Sequence, residues 1–252
     1  MKIVVCIKQV PERDARLRIA PDGKSVDTAG AATEINESDQ YALEAGLRLA
    51  EGAGGEVVAL LLGPDGAEEA IRRALAMGAT RAIHLNDAAF QEGDASANAR
   101  ALAAAAGAES PDLILTGLQS DDQGFGQVGV LLAEHLGAPH ATIVMEVQVA
   151  DRQVRVKREL EGGWFQWLTM PLPAVLTIQS GINQLRYATL KGIMAARKKD
   201  IRIVTAPAAP APLQRVLALA VPERARKVQL IGGSPAEAAK QLVRKLREDR
   251  AI

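Results

Sequence analysis

Residues 113–129, LILTGLQSDDQGFGQVG, decide the fold of this chain, because a short apolar run passes there into a glycine-rich loop. Residues 113–115 are continuously apolar, which is typical of a strand covered on both faces. The loop contains four glycines, and a helical pattern follows it at residues 130–136. In open α/β sheets, ligands bind beside loops that follow the carboxyl ends of parallel strands. The stretch therefore predicts a strand–loop–helix unit with a ligand site at its loop.

The first half of the chain repeats this alternation of strand and helix. Three further continuous apolar runs predict strands at residues 3–7, 57–62 and 82–85. Helical patterns lie between them: one after Asn36 or Ser38 as the N-cap, the others at residues 67–77 and 96–106. The alternation predicts an α/β fold, a Rossmann-like parallel sheet with helices on both faces.

The pattern changes after residue 140. Four closely spaced strands are predicted, at residues 142–149, 153–158, 164–170 and 174–178. Because short turn-forming stretches separate them, we expect an antiparallel extension attached to the sheet.

The C-terminal fifth of the chain differs again. Residues 206–212, APAAPAP, are typical of an extended linker that proline stiffens. Residues 228–231 predict one more strand, and Ser234, Pro235 and Glu237 form the signature of a helix start. We therefore expect a nucleotide-binding domain over residues 1–205, then a linker and a C-terminal arm over residues 206–252.

The composition of the chain argues against several classes of function. The 252 residues carry 30 Lys+Arg and 30 Asp+Glu, so no basic excess favours nucleic acid as a partner. One cysteine excludes an intramolecular disulfide, and three histidines leave little for a metal site. Since the sequence contains no apolar run of membrane-spanning length and no signal-peptide pattern, we expect a cytoplasmic protein that is not inserted in a membrane.

Two stretches are candidates for binding. In the loop, Gln119 and Gln127 are suited to a base, a ribose or a phosphate, so nucleotide or phosphate binding is favoured over a plain flexible loop. A G-x-G-x-x-G match starts at Gly124, but it begins too far after the strand to favour a dinucleotide site.

Residues 8–14 are interpreted as a surface loop in preference to an anion site. No catalytic triad is visible, and Cys6 is expected in the core.

The second candidate is the basic stretch at residues 186–199, RYATLKGIMAARKK, in which a few apolar side chains lie among cations. This pattern suits docking to an acidic partner, with an apolar anchor and a rim of charge. It equally suits a helix packed on the core with a solvated basic face. The residues alone leave both interpretations open.

Taken together, these motifs resemble the β subunit of electron transfer flavoproteins. The similarity covers nearly the whole chain, through VVCIKQVP, INESDQYALEAGLRL, ALAMGATRAIHL, the glycine-rich loop, VKRELEGG, LPAVLTIQSGIN and RYATLKGIMAARKK. The resemblance implies a non-catalytic electron carrier that pairs with an α subunit. That subunit holds most of a FAD, and this one holds a structural AMP. Electrons would pass from flavin dehydrogenases, such as those for acyl-CoA, to a membrane quinone oxidoreductase.

The resemblance also assigns residues. AMP would meet Cys6, Asn36, Gly117, Gln119, Ser120, Asp122, Gly126, Gln127 and Val128. A recognition loop at about residues 183–202 would bind dehydrogenases through the anchor Leu190, with Ile193, Met194, Arg197 and Lys198 around it. Glu159 would pair across the subunits.

The loop departs from the family pattern DDDxNQTG. Gly126 replaces an Asn and Val128 replaces a Thr, so two side-chain ligands are lost, although backbone N–H groups can still hold a phosphate. Two alternatives therefore stay open. One is a bifurcating subunit with a second FAD that oxidises NADH, and the other is a stand-alone nucleotide-binding module of the stress-protein type.

Overall fold

The computed structural model describes residues 1–86, 93–205, 212–222 and 228–252. They form two compact units, Met1–Leu217 and Ala218–Ile252. The strands of the first unit are β1 Lys2–Ile7, β2 Gln9–Pro11, β3 Arg18–Ile19, β4 Val26–Asp27, β5 Thr33–Ile35, β6 Glu56–Leu62, β7 Arg81–Leu85, β8 Leu113–Gly117, β9 His140–Ala150, β10 Gln153–Glu159, β11 Phe165–Pro171, β12 Ala174–Ile178 and β13 Ile201–Val204. Its helices are α1 Glu37–Ala53, α2 Glu68–Met77, α3 Ala95–Ala108, α4 Val128–Leu136 and α5 Leu190–Ala196.

Nine of these strands form one sheet in the order β11-β10-β9-β12-β8-β1-β6-β7-β13. From β12 to β13 every neighbouring pair is parallel. The predicted Rossmann-like α/β fold is confirmed. The parallel strands that were predicted form because each contains an apolar run: β8, for instance, is buried along its whole length. The edge strand β13 was not predicted, because Arg202 interrupts its short apolar pattern.

The helices cover both faces of the sheet, as predicted. The residues of α1 and α2 join one apolar core with alternate side chains of the strands, and those of α3 and α4 join a second core on the other face. Because helices cover both faces of the sheet, the side chains on both sides of the central strands are buried, and most of them are apolar.

The antiparallel extension comprises β9, β10 and β11 only. The prediction that β12 belongs to it was wrong, because β12 is parallel to both β8 and β9. All five residues of β12 are buried, whereas β9 and β10 have two buried residues each and are otherwise partly or fully exposed. A strand covered on both faces belongs in the parallel part of such a sheet, so the continuous apolar run was the better guide.

The second unit is described by itself. Its helix α6, Pro235–Glu248, begins where predicted, since Ser234 and Glu237 form a capping box and Pro235 takes the first turn. The predicted strand at residues 228–231 was wrong: these residues form no strand, and Val228 and Leu230 are exposed. The second unit contains no described strand that could pair with them in a ladder of hydrogen bonds. The predicted linker lies outside the described residues, except Pro212.

Candidate functional site

A cavity lies at the carboxyl ends of the neighbouring strands β1 and β8. Residues 118–127, the loop between β8 and α4, form one wall, and the start of α1 forms another. The cavity is thus at the edge of the parallel sheet where a strand–loop–helix unit presents backbone N–H groups.

Two glycines allow the elements around the cavity to approach closely. A Cβ on Gly117 would lie 2.2 Å from both Asp39 Oδ1 and Ser38 Oγ, so only glycine lets β8 end against α1. A Cβ on Gly129 would lie 2.4 Å from Thr177 Cγ2, so glycine also allows the first turn of α4 to pack on β12. These two positions fix how near the loop and its helix come to the sheet.

The first residues of α1 hold the loop in place. Asn36 Nδ2 donates to the Gln119 carbonyl at 2.9 Å, and Asn36 Oδ1 accepts from the Asp121 N–H at 2.8 Å. The Ser38 hydroxyl also donates to the Gln119 carbonyl at 2.9 Å. Asn36 is buried and lines the cavity, so in this structure its side chain positions the loop.

Asp39, which the sequence did not single out, bridges the two strand ends. Its Oδ2 accepts from the Lys8 N–H at 2.8 Å, and its Oδ1 accepts from the Gly117 N–H at 2.9 Å. Burial raises the pKa of Asp39 to about 7, although these two N–H groups, Asn36 and the Lys8 charge oppose the rise. Acidic residues are common in the first turn of a helix, so the sequence alone does not indicate the bridging role of Asp39. The role is visible only because the structure buries this side chain between the ends of β1 and β8.

Lys8 spans from β1 to the loop. Its Nζ donates to Asp122 Oδ1 at 2.7 Å and to Gln123 Oε1 at 3.0 Å, and it lies 3.5 Å from Ser120 Oγ. Burial alone would raise the pKa of Asp122, but the hydrogen bond and charge of Lys8 hold it below its ordinary value. The pair is therefore an ion pair at neutral pH.

The polar groups of the cavity suit a nucleotide. Gly124 and Gly126 have φ of 65° and 63°, which bends the loop in a way that other residues rarely adopt. Asn98 of α3 lines the cavity, and its Oδ1 is buried without a hydrogen-bond partner in the described structure. An unpaired buried acceptor of this kind suits an amino or hydroxyl donor on a ligand.

Most of the residues assigned to AMP come together at this cavity. Its lining includes Cys6, Asn36, Gly117, Gln119, Ser120, Gly126, Gln127 and Val128. Asp122 is the exception, because it lies outside the lining and contacts Lys8 instead. Cys6 is buried, and burial and then the nearby Asp39 raise the pKa of its thiol, so it is suited to a wall of the cavity and not to nucleophilic chemistry.

The basic stretch forms a second candidate site around α5. Leu190 is 75 % exposed and Met194 is 64 % exposed, and Ile193, Arg197 and Lys198 are also exposed. A groove of about 630 Å³ lies beside them, between α2 and this segment. Exposed apolar side chains that adjoin a groove are typical of protein docking surfaces.

The helix that presents these side chains is held rigidly. Thr189 caps α5 by accepting from the Gly192 N–H at 3.0 Å, and a Cβ on Gly192 would lie 2.5 Å from the Ala76 carbonyl of α2. Lys199 donates to the Leu75 and Ala79 carbonyls at the end of α2. The interpretation as a helix packed on the core is confirmed for this stretch, since Lys199 and Gly192 hold it against α2. Docking to an acidic partner stays a prediction.

Glu159 lies at the end of β10, opposite Phe165 of β11. The β10–β11 hairpin carries Trp164, Phe165 and Trp167, all of which are exposed. The Arg155 guanidinium lies 4.4 Å from the Trp167 ring centre. This places Glu159 at the base of an exposed aromatic surface.

Two features are absent from the part of the chain that the structure describes. No helix there combines the length and the apolar character needed to span a bilayer. The same residues also contain no cluster of three or more His, Cys, Asp or Glu side chains suited to a metal ion.

Comparison with known proteins gives consistent matches. Residues 24–209 match the family described as "Electron transfer flavoprotein domain". A protein of Methylophilus methylotrophus, "Electron transfer flavoprotein subunit beta", is 36% identical over 253 residues, which cover 95% of this chain and 96% of the relative. A protein of the same name from Thermoanaerobacterium thermosaccharolyticum is 35% identical over 262 residues and the full length of both chains. Another from Syntrophomonas wolfei is 41% identical over 211 residues, 83% of this chain and 81% of the relative.

Proposed function

Because this chain belongs to the electron transfer flavoprotein family, as one of its β subunits, we propose that it forms a heterodimer with an α subunit. The heterodimer takes electrons from flavin dehydrogenases, such as those for acyl-CoA, and delivers them to a membrane quinone oxidoreductase from the cytoplasmic side. In this proposal the chain is a carrier subunit and not an enzyme.

The proposal depends mainly on the exposed side chains of the basic stretch, residues 186–199, which we call the docking segment. An electron carrier must meet several partners briefly, so it needs a small anchored contact in preference to a large permanent interface. Leu190 is the apolar anchor, with Ile193 and Met194 beside it. Arg197 and Lys198 supply positive charge for steering toward acidic partner surfaces.

The cofactors of the proposal are a FAD and an AMP. The α subunit holds most of the FAD, which supplies the electron-accepting chemistry when bound. AMP occupies the cavity at the ends of β1 and β8 and has a structural role. The unpaired Asn98 Oδ1 and the glycine-rich loop support this assignment, since they offer an acceptor and close backbone N–H groups.

Two other parts of the chain face the α subunit in this proposal. Glu159 pairs with a residue across the subunit boundary. The arm at residues 206–252 packs on the α subunit, which accounts for the apolar side chains that α6 exposes, Leu242 and Val243.

The test is to purify the tagged chain from its native host, then to measure the absorption spectrum and the nucleotide content of what accompanies it. A yellow heterodimer with one FAD and one AMP is expected. Two FAD per heterodimer and no AMP would contradict the carrier role and would indicate a bifurcating subunit that oxidises NADH. A colourless homodimer that binds nucleotide without any partner would contradict the proposal and favour the stand-alone module.

A further inference from the structure

Lys8 is the only cationic side chain among the described residues that line the nucleotide cavity. Its neighbours Ser120 and Gln123 also line the cavity, whereas its ionic partner Asp122 lies outside that lining. The ammonium group is therefore held at the cavity wall by a carboxylate that is itself outside the wall. The three donors of the ammonium group meet Asp122 at 2.7 Å, Gln123 at 3.0 Å and the Ser120 hydroxyl at 3.5 Å. The Ser120 contact is long, so a phosphate oxygen can replace it while the other two partners hold the ammonium in place.

The charges at this wall make the lysine important for an anionic ligand. Asp39 lines the same cavity and is buried, and Asp122 is ionised at neutral pH. With a pKa of about 7, Asp39 carries part of a negative charge at neutral pH, and such a charge beside a phosphate repels it, most strongly where solvent is excluded. The loop offers neutral N–H donors to a phosphate, and Lys8 adds a positive charge that offsets this repulsion.

We propose that Lys8 is the residue that selects a phosphorylated nucleoside over the free nucleoside, by binding its phosphate through the ammonium group. Asp122 and Gln123 act through Lys8, as positioning residues that hold the ammonium at the wall. This inference rests on the proposed nucleotide role of the cavity.

Lys8 also ties the loop to β1, so recognition of charge must be separated from support of the loop. Two ligands make this separation: AMP, which carries the phosphate, and adenosine, which does not. Loss of loop support weakens the binding of both, whereas loss of a phosphate contact weakens only that of AMP.

The experiment measures the binding of AMP and of adenosine by calorimetry to the nucleotide-depleted complex of this chain with its partner subunit. In Lys8→Gln we expect the affinity for AMP to fall about 10- to 100-fold, the range for loss of one charged hydrogen bond, and that for adenosine to stay within about threefold. Lys8→Arg keeps the charge and should keep most of the AMP affinity. Lys24→Gln, an exposed lysine between β3 and β4, is the matched control and should change neither.

Three results would overturn the inference. An unchanged AMP affinity in Lys8→Gln would show that the ammonium does not meet the phosphate. An equal loss for AMP and adenosine would show that Lys8 only supports the loop. If the wild-type complex binds neither ligand, the nucleotide part of the proposed function fails as well, and the wild-type measurement alone distinguishes that case.

Discussion

The guanidinium of Arg186 lies 2.7 Å from the carboxylate of Glu44, and this pair joins the start of the basic stretch, residues 186–199, to the middle of α1. The Glu44 side chain is only 1 % exposed, whereas that of Arg186 is 30 % exposed. Burial raises the pKa of Glu44, but hydrogen bonds from Arg186 and Arg48 lower it by more, so the pKa is below its ordinary value. The residues that precede α5 are thus fixed by a buried acid 142 positions away in the chain.

Removal of this pair should destabilise the protein. In Arg186→Ala the buried Glu44 carboxylate keeps only Arg48, and loss of one partner of a buried pair costs about 3 kcal/mol or more. We expect a fall of about 2–3 kcal/mol in the free energy of unfolding in urea, since Arg186 is partly exposed and water replaces some of the lost contact. Arg73→Ala removes an exposed pair with Glu69 and is the control, with an expected change below about 0.5 kcal/mol. Equal effects in the two variants would contradict the anchoring role.

The anchor role of Leu190 has a kinetic test. Leu190→Ala should slow electron acceptance from a partner dehydrogenase about tenfold or more, because truncation of a central apolar anchor costs about 2 kcal/mol of binding. Flavin content and thermal stability should not change, since the side chain is exposed. Ile203→Ala, which truncates an exposed apolar residue of the edge strand β13, is the control. If Leu190→Ala accepts electrons at the wild-type rate, Leu190 is not the anchor for the dehydrogenase.

Gly117 and Gly52 make a matched pair of glycine-to-alanine changes. Gly117→Ala forces a Cβ against Asp39 and Ser38, so we expect the free energy of unfolding to fall by about 1–3 kcal/mol. We also expect the variant to retain less bound nucleotide. Gly52 lies inside α1, where a Cβ would have no atom within 4 Å, so Gly52→Ala should stabilise the protein by about 0.5–1 kcal/mol. Urea unfolding and nucleotide content measure both. A neutral Gly117→Ala would mean that β8 and α1 can separate without cost.

Asp39 should make stability depend on pH. Its folded-state pKa of about 7 exceeds the ordinary value of 3.8, so between these values the folded chain holds a proton that the unfolded chain has released. The contribution of this group to stability is complete below pH 3.8 and is lost as the pH rises to about 7, by an amount on the order of a few kcal/mol. Carbon NMR of labelled aspartate measures the pKa directly. A midpoint near 4 would contradict the burial argument.

The sequence predicts most of the parallel sheet because the inner parts of those strands are apolar, and it predicts the loop because glycines cluster after β8. It misses β13, whose four residues include Arg202 and are only partly buried. It misplaces β12 because nearness along the chain suggests a hairpin, while pairing is decided by burial on both faces. It does not reveal Asp39 and Asn98, which have ordinary polar positions in their helices and acquire their roles only through contacts with distant strands or through burial. Lys8 follows its strand like any surface lysine, and only the fold brings it to the loop.

Helix α1 holds the glycine-rich loop at its N-terminus through the N-cap Asn36, and it holds the basic stretch at its middle through Glu44. At a rise of about 1.5 Å per residue these two attachment points are about 12 Å apart on one rod. A tilt or shift of this helix therefore moves both attachment points together, so substitutions that move the helix change both surfaces at once. Among related chains, lineages that change the residues at one attachment point should carry compensating replacements at the other, and the two surfaces should diverge together.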